Sequence, residues 1–233
     1  YRLIAAELTA LGIDVDCAPL LDLARPETHP VIADRTLGAD PASVALRGLA
    51  LAESLLAGGV LPVLKHLPGH GRATADSHRG LPTVTAEGDT LRATDFLPFA
   101  ALRTLPLGMT AHVLYPAIDP ERCATLSPLV IAAIREEIGF EGLLMTDDLS
   151  MHALSGPFGL RAQSALAAGC DILLHCNGDP AEMEAVAAEA PALAGRALAR
   201  AERALAMRRT PDPFEPQAAL ARLAQLRREV ADA

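Results

Sequence analysis

Five times along the chain a short, continuously apolar run gives way to a polar loop and then to an amphipathic stretch. These runs lack the polar–apolar alternation of a half-solvated sheet, which predicts parallel strands covered on both faces. The predicted strands are Ile13 to Leu20 (IDVDCAPL), Val60 to Leu64, Leu107 to Leu114, Gly142 to Thr146 and Asp171 to Cys176. Helices are predicted over Tyr1 to Leu11, from Pro41 to a stop at Gly58 and Gly59, and over Asp89 to Leu105. Further helices run from a Ser127 cap with Pro128 at its first position to Ile138, over Leu160 to Ala168, and as one long Ala/Arg helix from Pro180 to Met207. A Pro-rich break, Thr210 to Pro216, precedes a last amphipathic helix.

Strand–helix alternation of this kind fits either a β/α barrel or an open doubly wound sheet. The polar residues separate the two. Asp22, Lys65 with His66, His112, Asp147 and Asn177 each follow an apolar strand. An open sheet concentrates its chemistry at one switch point, whereas a barrel gathers it from many strand ends at its C-terminal face. The expected fold is therefore an α/β, (β/α)8 TIM-type barrel of which about five βα units are present, since the usual barrel closes with eight strands. The first helix has no N-cap, as if cut from something longer, so three N-terminal units are expected to be absent. Residues 1–209 are read as the partial barrel, and 210–233 as a C-terminal linker and helix packing on it.

Composition bounds the rest. The 233 residues are 51% hydrophobic, ample for a core. A net charge of −9 and a pI near 5.2 argue against phosphate-backbone binding. No apolar run reaches the roughly 18 residues of a membrane span. Cys17, Cys123, Cys170 and Cys176 show no metal-type pairing and read as reduced core thiols of a cytosolic protein.

The densest chemistry lies between Val63 and Pro82, VLKHLPGHGRATADSHRGLP. Lys65 is the only lysine, against nineteen arginines, and a compact ammonium at one position points to a task a guanidinium does not serve. Asp76 and His78 stand two apart, so on an extended loop they face the same way; a carboxylate there can fix the imidazole tautomer and raise its pKa for acid/base work. A solvated His78 beside an Asx turn is the plainer alternative. Asp147 and Asp148 end a strand, and because adjacent side chains diverge only one can enter a site there; a helix N-cap accounts for one of the two. Arg35, beside Asp34 in a long loop, is either an oxygen-recognising arm or half of a surface ion pair. His112 fits a satisfied core histidine as well as a site residue. A zinc site could be drawn from His66, His70, His78, His112 and Asp147, without the tight ligand spacing that would support it. His29, His152 and His175 have no partners visible in the sequence, and no GxSxG, Walker or GxGxxG motif occurs.

The run KHLPGHG–DSH–LP followed by MTDDLSM resembles the bacterial β-N-acetylhexosaminidases of glycoside hydrolase family 3. The segments APLLDL, DRTLGAD, TAHVLYPAID, REEIGFEGLLMTDDLSM and AAGCDILLHCN match that family in order, from Leu3 to about Gly178. The resemblance implies a retaining exo-glycosidase that removes terminal β-linked N-acetylglucosamine from cell-wall muropeptide fragments in the cytoplasm. It implies Asp147 as nucleophile, His78 as acid/base and Asp76 as its orienting partner. Lys65, His66 and Arg35 would bind the sugar. It implies a carbohydrate substrate as the only partner, with no nucleic acid, no membrane, and no metal or organic cofactor. One family segment, of the type DQEGGRVQR, has no counterpart here. Two other readings compete: a metal-dependent barrel hydrolase built on the histidines, and a truncated, non-catalytic sugar-binding protein.

Overall fold

The computed structural model describes residues 1–231. Helix α1 (Arg2–Ala10) leads into strand β1 (Val15–Asp16). A long loop containing α2 (Pro30–Ala33) follows, then α3 (Pro41–Ala57) and β2 (Leu61–Leu67). Next come α4 (Gly88–Ala93), α5 (Leu97–Ala101) and β3 (Leu107–Thr110). A hairpin of β4 (Leu114–Tyr115) and β5 (Asp119–Cys123) precedes α6 (Pro128–Glu136) and β6 (Leu143–Asp148). The remainder is α7 (Phe158–Ala168), β7 (Ile172–Leu174), α8 (Pro180–Ala187), α9 (Gly195–Ala206) and α10 (Pro216–Ala231).

Five strands form one sheet in the order β1-β2-β3-β6-β7, every neighbouring pair parallel. The order follows the chain and never reverses, so the sheet has no switch point and the doubly wound alternative is excluded. It is a curled part of a β/α barrel, with β1 and β7 as its two edges. Central β2 and β3 are buried along nearly their whole length, as continuous apolar runs require, while Ile13 and Val15 near the β1 edge stand exposed.

Local chemistry sets the helix ends. Asp40 accepts from the Ser43 amide with Pro41 behind it, and Ser127 accepts from Val130 with Pro128 behind it, each satisfying an amide the first turn leaves orphaned. Gly169, at φ +113°, closes α7 in the left-handed conformation.

Three expectations are corrected. The helix predicted over 180–207 is two, because Pro191 has no amide hydrogen and interrupts it between α8 and α9. The helix over 89–105 also breaks, at Thr94, where φ is −135°. The strand over 107–114 leaves the sheet after Thr110, and Leu114–Tyr115 pairs instead with β5, antiparallel. That hairpin is fixed by Asp119, which accepts from the Glu121 and Arg122 amides and from the buried Ser127 hydroxyl.

At the N-terminal end of the sheet, Asp171 forms a knot. It pairs with Arg135 of α6 and Arg200 of α9, both at 2.8 Å, and accepts the Leu144 amide at 3.0 Å. Helix α10 lies against α1, and the Arg2 guanidinium covers the Phe214 ring at 4.7 Å.

Candidate active site

The polar strand ends meet at the C-terminal edge of the sheet. The registers of β2 with β3 and of β6 with β7 are both regular until they shift, between Leu64 and Leu67 and between Met145 and Asp148. Bulges of this kind re-aim side chains, and these two fall at Lys65–His66 and at Asp147. The Lys65–His66 peptide is cis.

Asp22 is the buried foundation. Fully enclosed just beyond β1, it accepts from His66 Nδ1 at 2.7 Å and from the His70 amide at 2.6 Å, with the His66 amide at 3.3 Å. Burial alone would raise its pKa, but His66 and His70 outweigh that and hold the carboxyl below its usual range. With Nδ1 so engaged, His66 presents Nε2 to Asp147, 4.0 Å from Oδ2.

Asp147 is the uncommitted carboxylate of the strand-end pair. Its Oδ1 accepts the neighbouring Asp148 amide at 2.8 Å. Burial pushes its pKa up, yet His66, His112, the Asp148 amide and Lys65 together leave it lowered, so it is ionised at neutral pH. Asp148 diverges as expected, though it caps no helix: it accepts from the Ser150 amide and hydroxyl and from the Cys176 amide, closing the turn after β6. Lys65 is half-buried, and burial lowers its ammonium pKa against the opposing pull of Cys17 and Asp147. Arg35 is exposed on its loop, near enough to contribute to the lowering of Lys65.

His112 is fully buried, with Nδ1 2.7 Å from the Thr125 hydroxyl and Nε2 2.9 Å from the Asp148 carbonyl. Burial lowers its pKa, so it is a neutral donor to the backbone that follows Asp147. Both its nitrogens are therefore committed, as is Nδ1 of His66. No group of three or more His, Cys, Asp or Glu among the described residues is placed to hold a metal ion. The zinc set drawn from the sequence is thus not assembled.

Asp76 and His78 lie on the adjoining loop. Asp76 Oδ1 accepts both the His78 amide at 2.9 Å and His78 Nδ1 at 2.8 Å, and the first of these bonds leads in lowering the Asp76 pKa. His78 is 59% exposed, and among the described residues its side chain hydrogen-bonds only to Asp76. Its loop is tied to that cluster through the backbone: Ala153, on the segment that follows Asp147, donates its amide to Ser77 at 3.1 Å.

Sequence reasoning placed Asp22 at a strand end but gave it no role, and treated His70 only as a possible metal ligand. His70 is buried with its pKa pushed down to about 4, first by burial and then by His66. Among the other histidines, His29 caps α2 by accepting from Val31, and His175 pairs with Glu182 at 3.1 Å. Two cavities, of about 700 and 610 Å3, lie elsewhere, at the N-terminal ends of β3 and β6 and beside β7. The chemistry, not the enclosed volume, marks the site.

Residues 2–206 match the model of the glycosyl hydrolase family 3 N terminal domain. A beta-hexosaminidase of Chromobacterium violaceum is 40% identical over 189 residues, covering 79% of this chain and 52% of that protein. The beta-hexosaminidase of Methylococcus capsulatus is 43% identical over 180 residues, covering 75% and 53%. NagZ from Neisseria gonorrhoeae, solved with N-trifluoroacetyl-D-glucosamine, superposes with a TM-score of 0.79 at 33% identity, covering 94% of this chain and 63% of that one. A family 3 beta-N-acetylglucosaminidase from Paenibacillus sp. gives 0.79 at 32% identity, covering 92% and 44%. The chain spans about half the length of the curated relatives it matches.

Proposed function

The chain belongs to glycosyl hydrolase family 3, and from that premise we propose that the protein carrying it is a retaining exo-glycosidase acting on terminal β-linked N-acetylglucosamine. The observation that carries this reading is Asp147: an ionised carboxylate at a strand end, flanked by Lys65 and by a His66 that Asp22 fixes, with no structural bond beyond its own neighbour's amide.

In this mechanism Asp147 attacks the anomeric carbon as the bond to the leaving oxygen breaks, through an oxocarbenium-like transition state. His78, doubly protonated with Nδ1–H on Asp76, gives the Nε2 proton to the leaving oxygen. Water then attacks the same carbon, its proton passes to His78 Nε2, and the bond to Asp147 breaks. An imidazole suits both steps because one ring nitrogen can give a proton and take it back while the other stays bonded to Asp76. Lys65 and His66 hold sugar hydroxyls, and Arg35 reaches in from its loop. The names of the relatives support N-acetylglucosamine as the sugar. We extend the reading to muropeptide fragments in the cytoplasm.

The test uses the complete encoded protein. An activated fluorinated N-acetylglucosaminide should leave one covalent sugar on Asp147, read by peptide mass spectrometry. Asp147→Ala should lower turnover of an aryl N-acetylglucosaminide on the order of 10,000-fold. A sugar trapped on another residue, or activity lost to a chelator, overturns the assignment.

A further inference from the structure

The loop from Gly69 to Gly80 is exposed at its tip, yet its base is locked to the loop that follows β1. Thr28 makes that lock. Its side chain is buried, its hydroxyl donates to the Gly71 carbonyl at 2.6 Å, and the same oxygen accepts the Arg25 amide at 2.7 Å. One residue on, the His29 amide donates to the Ala73 carbonyl at 3.1 Å. The two backbones touch without side chains between them: a Cβ at Gly71 would come within 2.0 Å of the Leu23 carbonyl oxygen. Leu23 directly follows Asp22, the carboxylate that fixes His66. At its far end the loop meets the segment following Asp147, through Ala153 and Ser77. The loop bearing His78 is therefore slung between the two segments that carry the buried cluster, and two side chains of the loop following β1 bond its base: Asp22, committed to the His66 cluster, through the His70 amide, and Thr28, outside that cluster, through the Gly71 carbonyl.

We propose that Thr28 is a positioning residue for proton transfer: its hydroxyl sets the base of the His78 loop against the loop following β1, and so fixes where the imidazole stands relative to Asp147. This rests on the reading of His78 as acid/base. Thr28 touches neither substrate nor His78 and acts only through the loop. Removing its hydroxyl therefore impairs protonation of the leaving group and leaves the attack by Asp147 intact.

The experiment compares Thr28→Val, which keeps the shape and loses the hydrogen bonds, with Thr28→Ser, which keeps them. Both are made in the complete encoded protein and in a His78→Ala background. The substrates are a dinitrophenyl N-acetylglucosaminide, which needs no acid, and an alkyl N-acetylglucosaminide, which does. We expect Thr28→Val to lower kcat/KM roughly tenfold on the alkyl glycoside and less than about twofold on the dinitrophenyl one. Thr28→Ser should restore it, and Thr28→Val should add nothing to His78→Ala. Thr28→Ala must give the same split, so the outcome does not depend on one variant folding. Equal losses on both substrates, failure of serine to rescue, or a full effect persisting without His78 overturns the proposal. If His78→Ala is itself indifferent to the leaving group, the acid/base reading fails first, and that result is recognisable without any Thr28 variant.

Discussion

The buried strand-end cluster and the exposed loop beside it handle charge in opposite ways. In the cluster, Asp22 holds His66 at 2.7 Å, His66 faces Asp147 across 4.0 Å, and the buried His112 donates to the Asp148 carbonyl, so His66 is fixed before any ligand arrives. On the loop, Asp76 holds His78 at 2.8 Å and faces Arg79 at 3.7 Å, with His78 in solvent and the fixation supplied from beneath by backbone and by Asp22 and Thr28. The contrast fits the two tasks proposed for these regions. Stabilising developing positive charge requires preorganised groups in a low dielectric. A group that gives and then takes a proton must exchange with water and with a changing leaving group.

The largest effect that would sharpen this contrast is expected at Asp22. Asp22→Asn removes the charge that orients His66, so kcat/KM should fall roughly 10- to 100-fold with every leaving group. The fold should weaken too, by about 1–3 kcal/mol in urea unfolding, because donors are left imperfectly paired. An Asp22→Asn enzyme with normal turnover would mean that the buried region contributes scaffold only. Asp76→Asn should do less and do it selectively. We expect about a tenfold loss on poor leaving groups, and a smaller loss of stability than at Asp22, since Asp76 is only partly covered. A uniform loss would erase the distinction between the two regions.

The smallest effect is in the pH dependence of stability. Asp22 and Asp147 have lowered folded pKa values, so their contribution is present above the unfolded carboxyl value and is lost as pH falls through the folded one. His70 adds to this in a different window. It is held neutral down to about 4, while the unfolded chain takes its proton near the ordinary value of about 6.5, so stability declines as pH falls between those limits. Melting temperature followed from pH 7 to 4 should show that slope, and His70→Gln should flatten it.

Much of this was legible in the chain. Lys65, His66 and Asp147 declare themselves because apolar strands end at them, and the divergence of Asp147 from Asp148 follows from strand geometry alone. Alternation left a barrel and an open sheet equally possible; polar residues after every apolar strand pointed to the barrel, and the strand order, which follows the chain, agrees. What stayed hidden depends on contacts far apart in sequence. Asp22 meets His66 across 44 positions, and Thr28 meets Gly71 across 43, with no local spacing to announce either. The hairpin of β4 and β5 was missed because its second strand, DPERC, carries charge where strand propensity asks for β-branched or aromatic residues. Its shape comes from Asp119.

The arginine knot around Asp171 has a consequence for how such a protein can change. It ties α6 and α9 beneath the sheet, at the end remote from the chemistry. The floor is thereby secured independently of the rim. Exposed tips at the rim can be retuned for a new aglycone while the foundation keeps its shape, so a library aimed at altered specificity belongs at exposed positions of the segments following β1 and β2, with Asp22, Thr28, His70, Asp76 and His78 kept and with Arg135, Asp171 and Arg200 left untouched.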